Sequence, residues 1–259
     1  MHPILFKIGP VIIRTYGVMV ATGFFTAFFL LYGEAKRKNF YADKILDMEF
    51  VILVSGILGA RVLHILVNLD FYTQNVADIF LIWRGGLAFF GGFILAIPAC
   101  VAFVIKNKMP LWETTDLIAV YMPLGHAIGR IGCFLNGCCF GKPAAGPFLS
   151  VVFPGDTVYR YPTQLYASLL LLCIFVILKL AKERPHVAGS IFALYLILYS
   201  GQRFFADFLR GDNPTYIFGL TISQIISVFI FTIAIFLFFT IKKKDRLKHR
   251  GILGSGLHI

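Results

Sequence analysis

Seven stretches of this chain are long and apolar enough to cross a bilayer, which takes about 20 residues of helix. They centre near Phe24, Leu58, Leu95, Ala127, Cys173, Leu196 and Phe231. Inside lipid no water satisfies backbone N–H and C=O groups, so such stretches must be helices that bond internally. The pattern predicts an all-α integral membrane protein of seven transmembrane helices, forming a single domain over residues 1–259. Composition excludes the soluble alternative: 58% of the residues are hydrophobic and only 14% are charged. So few charges cannot cover a water-facing surface around that much apolar side chain.

A net charge of +11 raises the question of a nucleic-acid partner, and the placement of the charge answers it. Fifteen of the 24 Lys and Arg residues fall in the connections after the first, third and fifth spans and after the last. They are Lys36, Arg37, Lys38 and Lys44, then Lys106 and Lys108, then Lys179, Lys182 and Arg184, then six between Lys242 and Arg250. The other connections hold Lys7, Arg14, Arg84, Lys142, Arg160 and Arg210, spread over more residues. This is the asymmetry of a positive-inside topology, so the N-terminus is expected outside and the C-terminus in the cytoplasm. Membrane lipids, not nucleic acid, are the expected partners. The N-terminal residues lack a cleavable signal, so the first span is expected to direct its own insertion. The longest outer connection is expected from about Cys138 to Thr163, and Gly251–Ile259 reads as a flexible tail.

Three basic residues remain, Arg61, Arg130 and Arg203, each within a span. An arginine at mid-membrane costs about 3 kcal/mol even on the mild insertion scale, so it needs a partner or a wet cavity. The main acidic candidate in the spans is Asp207, one turn beyond Arg203. Three cations against one carboxylate leave an unmatched positive site that an anionic ligand would complete. Tyr199, Arg203, Asp207 and Arg210 recur at intervals of four, four and three, so they share one helix face, expected to point into the bundle. Arg61 stands beside Gly56, Gly59 and Ala60, which favours a packing role.

The fourth span runs into Gly129-Arg130-Ile131-Gly132-Cys133-Phe134-Leu135-Asn136-Gly137-Cys138-Cys139-Phe140-Gly141-Lys142. Asn136-Gly137 is a turn signal that ends the helix there. Arg130 therefore lies within about two turns of the helix end, within reach of a lipid headgroup. The planar fork of a guanidinium offers a phosphate two parallel donors. Gly85-Gly86 and Gly91-Gly92 flank the start of the third span and read as packing glycines. Cys133, Cys138 and Cys139 are spaced by five and one, which fits neither a helix face nor a tetrahedral metal site, so they are expected to be structural thiols. No metal and no cofactor is expected. His126 lies one turn before Arg130 and is a further residue to test.

Taken together, these motifs resemble prolipoprotein diacylglyceryl transferase. The resemblance rests on Arg14-Thr15-Tyr16-Gly17, the double-glycine pairs at 85–92, Gly129–Lys142, Tyr161-Pro162-Thr163-Gln164-Leu165-Tyr166, Tyr199 through Arg210, and Gly219-Leu220-Thr221-Ile222-Ser223-Gln224. It implies an enzyme of the bacterial cytoplasmic membrane that moves the diacylglyceryl group of phosphatidylglycerol onto the lipobox cysteine of prolipoproteins, releasing glycerol phosphate. It further implies catalytic roles for Arg203, Tyr16 and Tyr199. Arg130, Asn136, Gly141, Asp207 and Arg210 are implied in substrate binding. The chain departs from the family at Phe90, where a histidine is usual. Cys133 and Cys138 stand where the signature has asparagine and glutamate, and Asp207 where the sixth span has glutamate. Two rivals stand beside this reading: a paralogue with a changed acceptor, and a non-catalytic protein that binds or moves phospholipid.

Overall fold

A computed structural model describes residues 1–8, 11–81, 85–211, 214–217 and 219–255. The chain is mostly helical: α1 (Thr15–Arg37), α2 (Ala42–Val67), the short α3 (Leu69–Gln74), α4 (Phe89–Lys106), α5 (Leu111–Asn136), α6 (Thr163–Glu183), α7 (Ser190–Phe208) and α8 (Ile222–Ser255). Short two-stranded hairpins accompany them: β1 (Ile4–Ile8) with β2 (Val11–Arg14), β3 (Val151–Val152) with β4 (Tyr159–Arg160), and β5 (Thr215–Ile217) with β6 (Leu220–Thr221). Among the described residues six helices are long and apolar enough to cross a membrane: α1, α2, α4, α5, α6 and the part of α8 from Ile222 to Asp245. They carry large apolar side chains on their surfaces, with Phe29, Phe50, Phe89 and Phe236 between 64% and 73% exposed. Exposed rings on helices this apolar mark lipid-facing surface. The molecule is a helical, multi-pass membrane protein.

The seventh expected span is present as a helix, α7, but is not among those six. Gln202, Arg203 and Asp207 make its last two turns polar and lower its hydropathy. The predicted tail is corrected in part. Helix α8 continues through Gly251–Ser255, and 256–259 lie outside the described residues, as does Arg84. A glycine such as Gly251 costs a helix about 1 kcal/mol, which does not by itself end one.

The described residues form two compact units. One comprises residues 4–13 and 28–114. In it α2 and α4 cross at glycines. A Cβ on Gly59 would stand 2.3 Å from the Gly91 carbonyl oxygen, and one on Gly91 would stand 2.3 Å from that of Gly59. Arg61, two residues beyond Gly59, is buried and, among the described residues, donates to backbone carbonyls. Its Nε bonds Ile79 O at 3.0 Å, its Nη1 bonds Gly85 O at 2.7 Å and Gly86 O at 2.9 Å, and its Nη2 bonds Asp78 O. Its guanidinium also lies over the Tyr72 ring, 5.3 Å from the centroid. Arg61 therefore closes the connection before α4, in keeping with its expected packing role.

The other unit comprises residues 1–3, 14–27 and 115–259. The first turns of α1 meet α5 at small residues. A Cβ on Gly23 would stand 2.5 Å from Gly125 O, and one on Gly132 would stand 2.7 Å from Met19 Cβ. Helix α6 is tied to α5 where Ser168 Oγ donates to Ala127 O at 2.9 Å. The start of α7 is capped from α5. The buried Asp116 carboxylate accepts the backbone N–H groups of Gly189 and Phe192, each at 2.7 Å. An acid at a helix start satisfies donors with no partner in the helix and opposes the positive end of its dipole. These ties fix the relative rotation of α5, α6 and α7, whose polar faces form the site.

Candidate active site

The site lies at the C-terminal ends of α5 and α7. Arg130, Arg203 and Arg210 line one small recess, together with Thr163, Gln202 and the small walls Ala167 and Ala206. Beneath it sits Asp207, 3% exposed. Arg203 Nη2 stands 3.3 Å from Asp207 Oδ1, and Arg210 Nε stands 4.0 Å from the same oxygen. The second carboxylate oxygen accepts the Thr221 hydroxyl. Arg203 also donates from Nε to Ser223 Oγ at 2.6 Å. Asp207 thus anchors two guanidiniums from below. Three positive groups and one carboxylate leave the recess with surplus positive charge, which suits a phosphate.

Thr221 and Ser223 owe their positions to a capping box. Thr221 precedes α8, Gln224 Oε1 accepts the Thr221 N–H at 3.0 Å, and Thr221 Oγ1 accepts the Gln224 N–H at 3.2 Å. The reciprocal bonds satisfy two donors at the helix start and fix the first turn that carries Ser223. Neither Thr221 nor Ser223 is among the residues expected from the sequence to serve the site. The T-x-x-Q spacing at 221–224, read as a helix start, would have found both.

Arg130 Nε donates to His126 Nε2 at 3.3 Å, one turn back along α5. A ring nitrogen that accepts carries no proton, so His126 buttresses Arg130 through the lone pair of Nε2. The His126 ring lies 5.7 Å from that of Tyr199, which lies 5.7 Å from that of Tyr195. Tyr199 therefore borders the site through His126 and does not line the recess.

Gly141 acts through the backbone. It pairs with Arg210 in an isolated β-bridge, and Lys142 N donates to Leu209 O at 2.8 Å. A Cβ there would stand 2.8 Å from both Leu209 O and Tyr161 O and 2.9 Å from Thr163 Cγ2. No side chain fits, and the close approach holds the segment bearing Arg210 against the recess. Asn136 and Tyr16 stand apart from the arginines' recess, at the cysteine end of α5. Asn136 is half-buried there, and Tyr16, 40% exposed, has Cys133, Cys138 and Arg130 as electrostatic neighbours.

The cysteines correct the argument from spacing. The sulfurs of Cys133, Cys138 and Cys139 all lie within 4.8 Å of one another. The helix end brings them together. Gly137 N donates to Phe134 O at 3.1 Å and Cys138 N to Cys133 O at 3.2 Å, with Gly137 at φ 72°. These are the two bonds of a Schellman cap, which sets the third residue from the helix end against the second beyond it. In this chain those two residues are Cys133 and Cys138. The Cys138 thiol donates to the Cys133 carbonyl oxygen at 3.6 Å, inside the same cap.

Fold and site together define an integral membrane protein with a recess lined by three arginines beside one buried carboxylate. The sequence profile of the prolipoprotein diacylglyceryl transferase family matches residues 3–240, and the chain belongs to that family. It is 32% identical over 242 residues to the phosphatidylglycerol–prolipoprotein diacylglyceryl transferase of Clostridium tetani, covering 92% of this chain and 97% of that protein. It is 33% identical over 256 residues to the protein of the same name from Clostridium botulinum, covering 95% and 99%. For that of Streptococcus equi subsp. zooepidemicus the figures are 32% over 255 residues, covering 96% and 97%.

Proposed function

We propose that this protein transfers the diacylglyceryl group of phosphatidylglycerol to the lipobox cysteine thiol of prolipoproteins. The acceptor sulfur attacks the glycerol carbon that bears the phosphate ester, forming a thioether. The carbon–oxygen bond breaks and glycerol phosphate leaves, while the thiol proton passes to solvent or to a base. Such a step needs a clamp for phosphate charge that strengthens as the leaving group departs. The observation that carries this reading is the recess in which Arg130, Arg203 and Arg210 stand above the single carboxylate of Asp207.

Arg130, near the end of α5, is assigned to the lipid headgroup. Arg203, held by Asp207 and Ser223, is assigned to the departing phosphate or to the acceptor thiolate, with Tyr16 and Tyr199 placed around the reacting groups. Gly141, Asp207 and Arg210 hold the clamp in register, and Asn136 is assigned to substrate binding at the end of α5. In this reading α7 is a seventh span, polar because it faces the site. The N-terminus is outside, the C-terminus is cytoplasmic, and the protein resides in the bacterial cytoplasmic membrane. The test is mass spectrometry of a lipobox peptide incubated with purified protein and phosphatidylglycerol. A diacylglyceryl adduct on a cysteine peptide, absent from a serine peptide, supports the proposal. Binding of lipid without an adduct would favour a non-catalytic lipid-binding protein instead.

A further inference from the structure

The three-cysteine cluster is a second constellation that the phosphate clamp does not use. Cys133 is buried, and Cys138 and Cys139 are half-buried. All three are free thiols, and their sulfurs lie within 4.8 Å of one another. The backbone around them is pinned from α6. Gln164 Nε2 donates to Cys138 O at 2.6 Å, and Thr163 Oγ1 donates to Cys139 O at 2.9 Å. Gln164 is fully buried, so this brace is part of the packed interior.

We propose that Cys133, Cys138 and Cys139 form a site for a thiophilic divalent cation, best matched by Zn²⁺, with a fourth position open to an external sulfur donor. Zinc–thiolate bonds of about 2.3 Å at tetrahedral angles put sulfurs about 3.8 Å apart. Sulfurs already within 4.8 Å reach that spacing by small side-chain rotations. Three thiolates and one Zn²⁺ make an anionic unit, and the recess lined by Arg130 and Arg210 lies across Thr163 from it. Thr163 joins the two constellations, since it braces Cys139 and also lines the arginine recess. A Schellman cap accounts for the meeting of Cys133 with Cys138, because an apolar contact is usual there. It does not account for the third sulfur. Three protein ligands with one open position is the pattern of zinc sites that act on a bound group, whereas four-ligand sites serve structure. On the transferase reading, the donor that takes the open position is the acceptor cysteine.

The test is titration of the reduced, full-length protein with Co²⁺, followed by Zn²⁺ competition. One equivalent of Co²⁺ should give thiolate-to-cobalt charge-transfer absorption that Zn²⁺ abolishes. C133S, C138S and C139S should each weaken binding at least tenfold while leaving helix content unchanged, with C100S as the control that keeps the signal. Absence of the absorption, its survival in the triple-serine protein, or formation of a Cys133–Cys138 disulfide that is insensitive to Zn²⁺ would overturn the site. Adding a lipobox peptide should alter the cobalt spectrum when it carries cysteine and not when it carries serine. An unchanged spectrum with the cysteine peptide overturns the open position. Cobalt binding without any diacylglyceryl adduct would count against the transferase reading and leave the metal site standing.

Discussion

Arg203 and Asp207 lie one turn apart on α7 and meet at 3.3 Å, with the carboxylate side chain fully buried. The pair does more than offset two charges. Asp207 also faces Arg210 and accepts the Thr221 hydroxyl, so one buried acid fixes two guanidiniums and the start of α8.

Removing that acid leaves cations without their anchor. Asp207→Asn is expected to destabilise the protein by about 3 kcal/mol, the order seen when one partner of a buried ion pair is lost. Transfer should fall at least tenfold, and Asp207→Glu should restore part of it. Thermal unfolding in detergent read beside turnover checks both; unchanged stability with Asn would show that Asp207 is not an anchor.

Arg130 is predicted to need its shape as well as its charge. Arg130→Lys keeps the positive charge but loses the planar fork that meets a phosphate with two bonds. The KM for phosphatidylglycerol should rise about tenfold, a loss of about 1.4 kcal/mol. His126→Gln keeps a group able to accept from Arg130 and should be milder than His126→Ala. If the two histidine variants behave alike, buttressing by an acceptor is not what His126 provides.

Gly141 tests whether backbone proximity positions Arg210. Gly141→Ala forces a Cβ against two backbone oxygens at 2.8 Å, which cannot swing away. Overpacking of this kind costs about 1–3 kcal/mol, and transfer should fall with it. Gly146→Ala is the control, because a Cβ there meets nothing within 4 Å. Equal behaviour of the two variants would contradict the role given to Gly141.

Arg61 is expected to matter for folding and not for lipid. Its side chain satisfies carbonyls at Asp78, Ile79, Gly85 and Gly86. Arg61→Met removes these donors and should cost about 2 kcal/mol or more. Phosphatidylglycerol affinity per folded molecule should stay within about twofold of the parent, a difference under 0.5 kcal/mol. A selective loss of lipid affinity would move Arg61 into the binding site.

Much of this was legible in the residues because its signals are local. Apolar runs marked every long helix, the i, i+4 spacing gave the Arg203–Asp207 pair, and Asn136-Gly137 gave the end of α5. What stayed hidden depends on contacts between distant segments or on backbone. Nothing in the residue types of 78–86 announces that their carbonyls receive Arg61. The backbone oxygens of Leu209 and Tyr161 that close on Gly141 come from segments far from it in the chain. The meeting of the three cysteine sulfurs is hidden in a spacing of five and one, because the helix ends between Cys133 and Cys138 and the cap folds the chain back.

The central claim is that Arg203 carries the charge chemistry of transfer as a guanidinium. The most direct measurement is glycerol phosphate release from phosphatidylglycerol by the parent and by Arg203→Lys, each with a cysteine lipobox peptide and folded to the same helix content. The parent should release glycerol phosphate only with the cysteine peptide. The lysine variant should be slower by at least a hundredfold, a loss of about 2.7 kcal/mol of transition-state stabilisation. Release by Arg203→Lys at the parent rate would contradict the account.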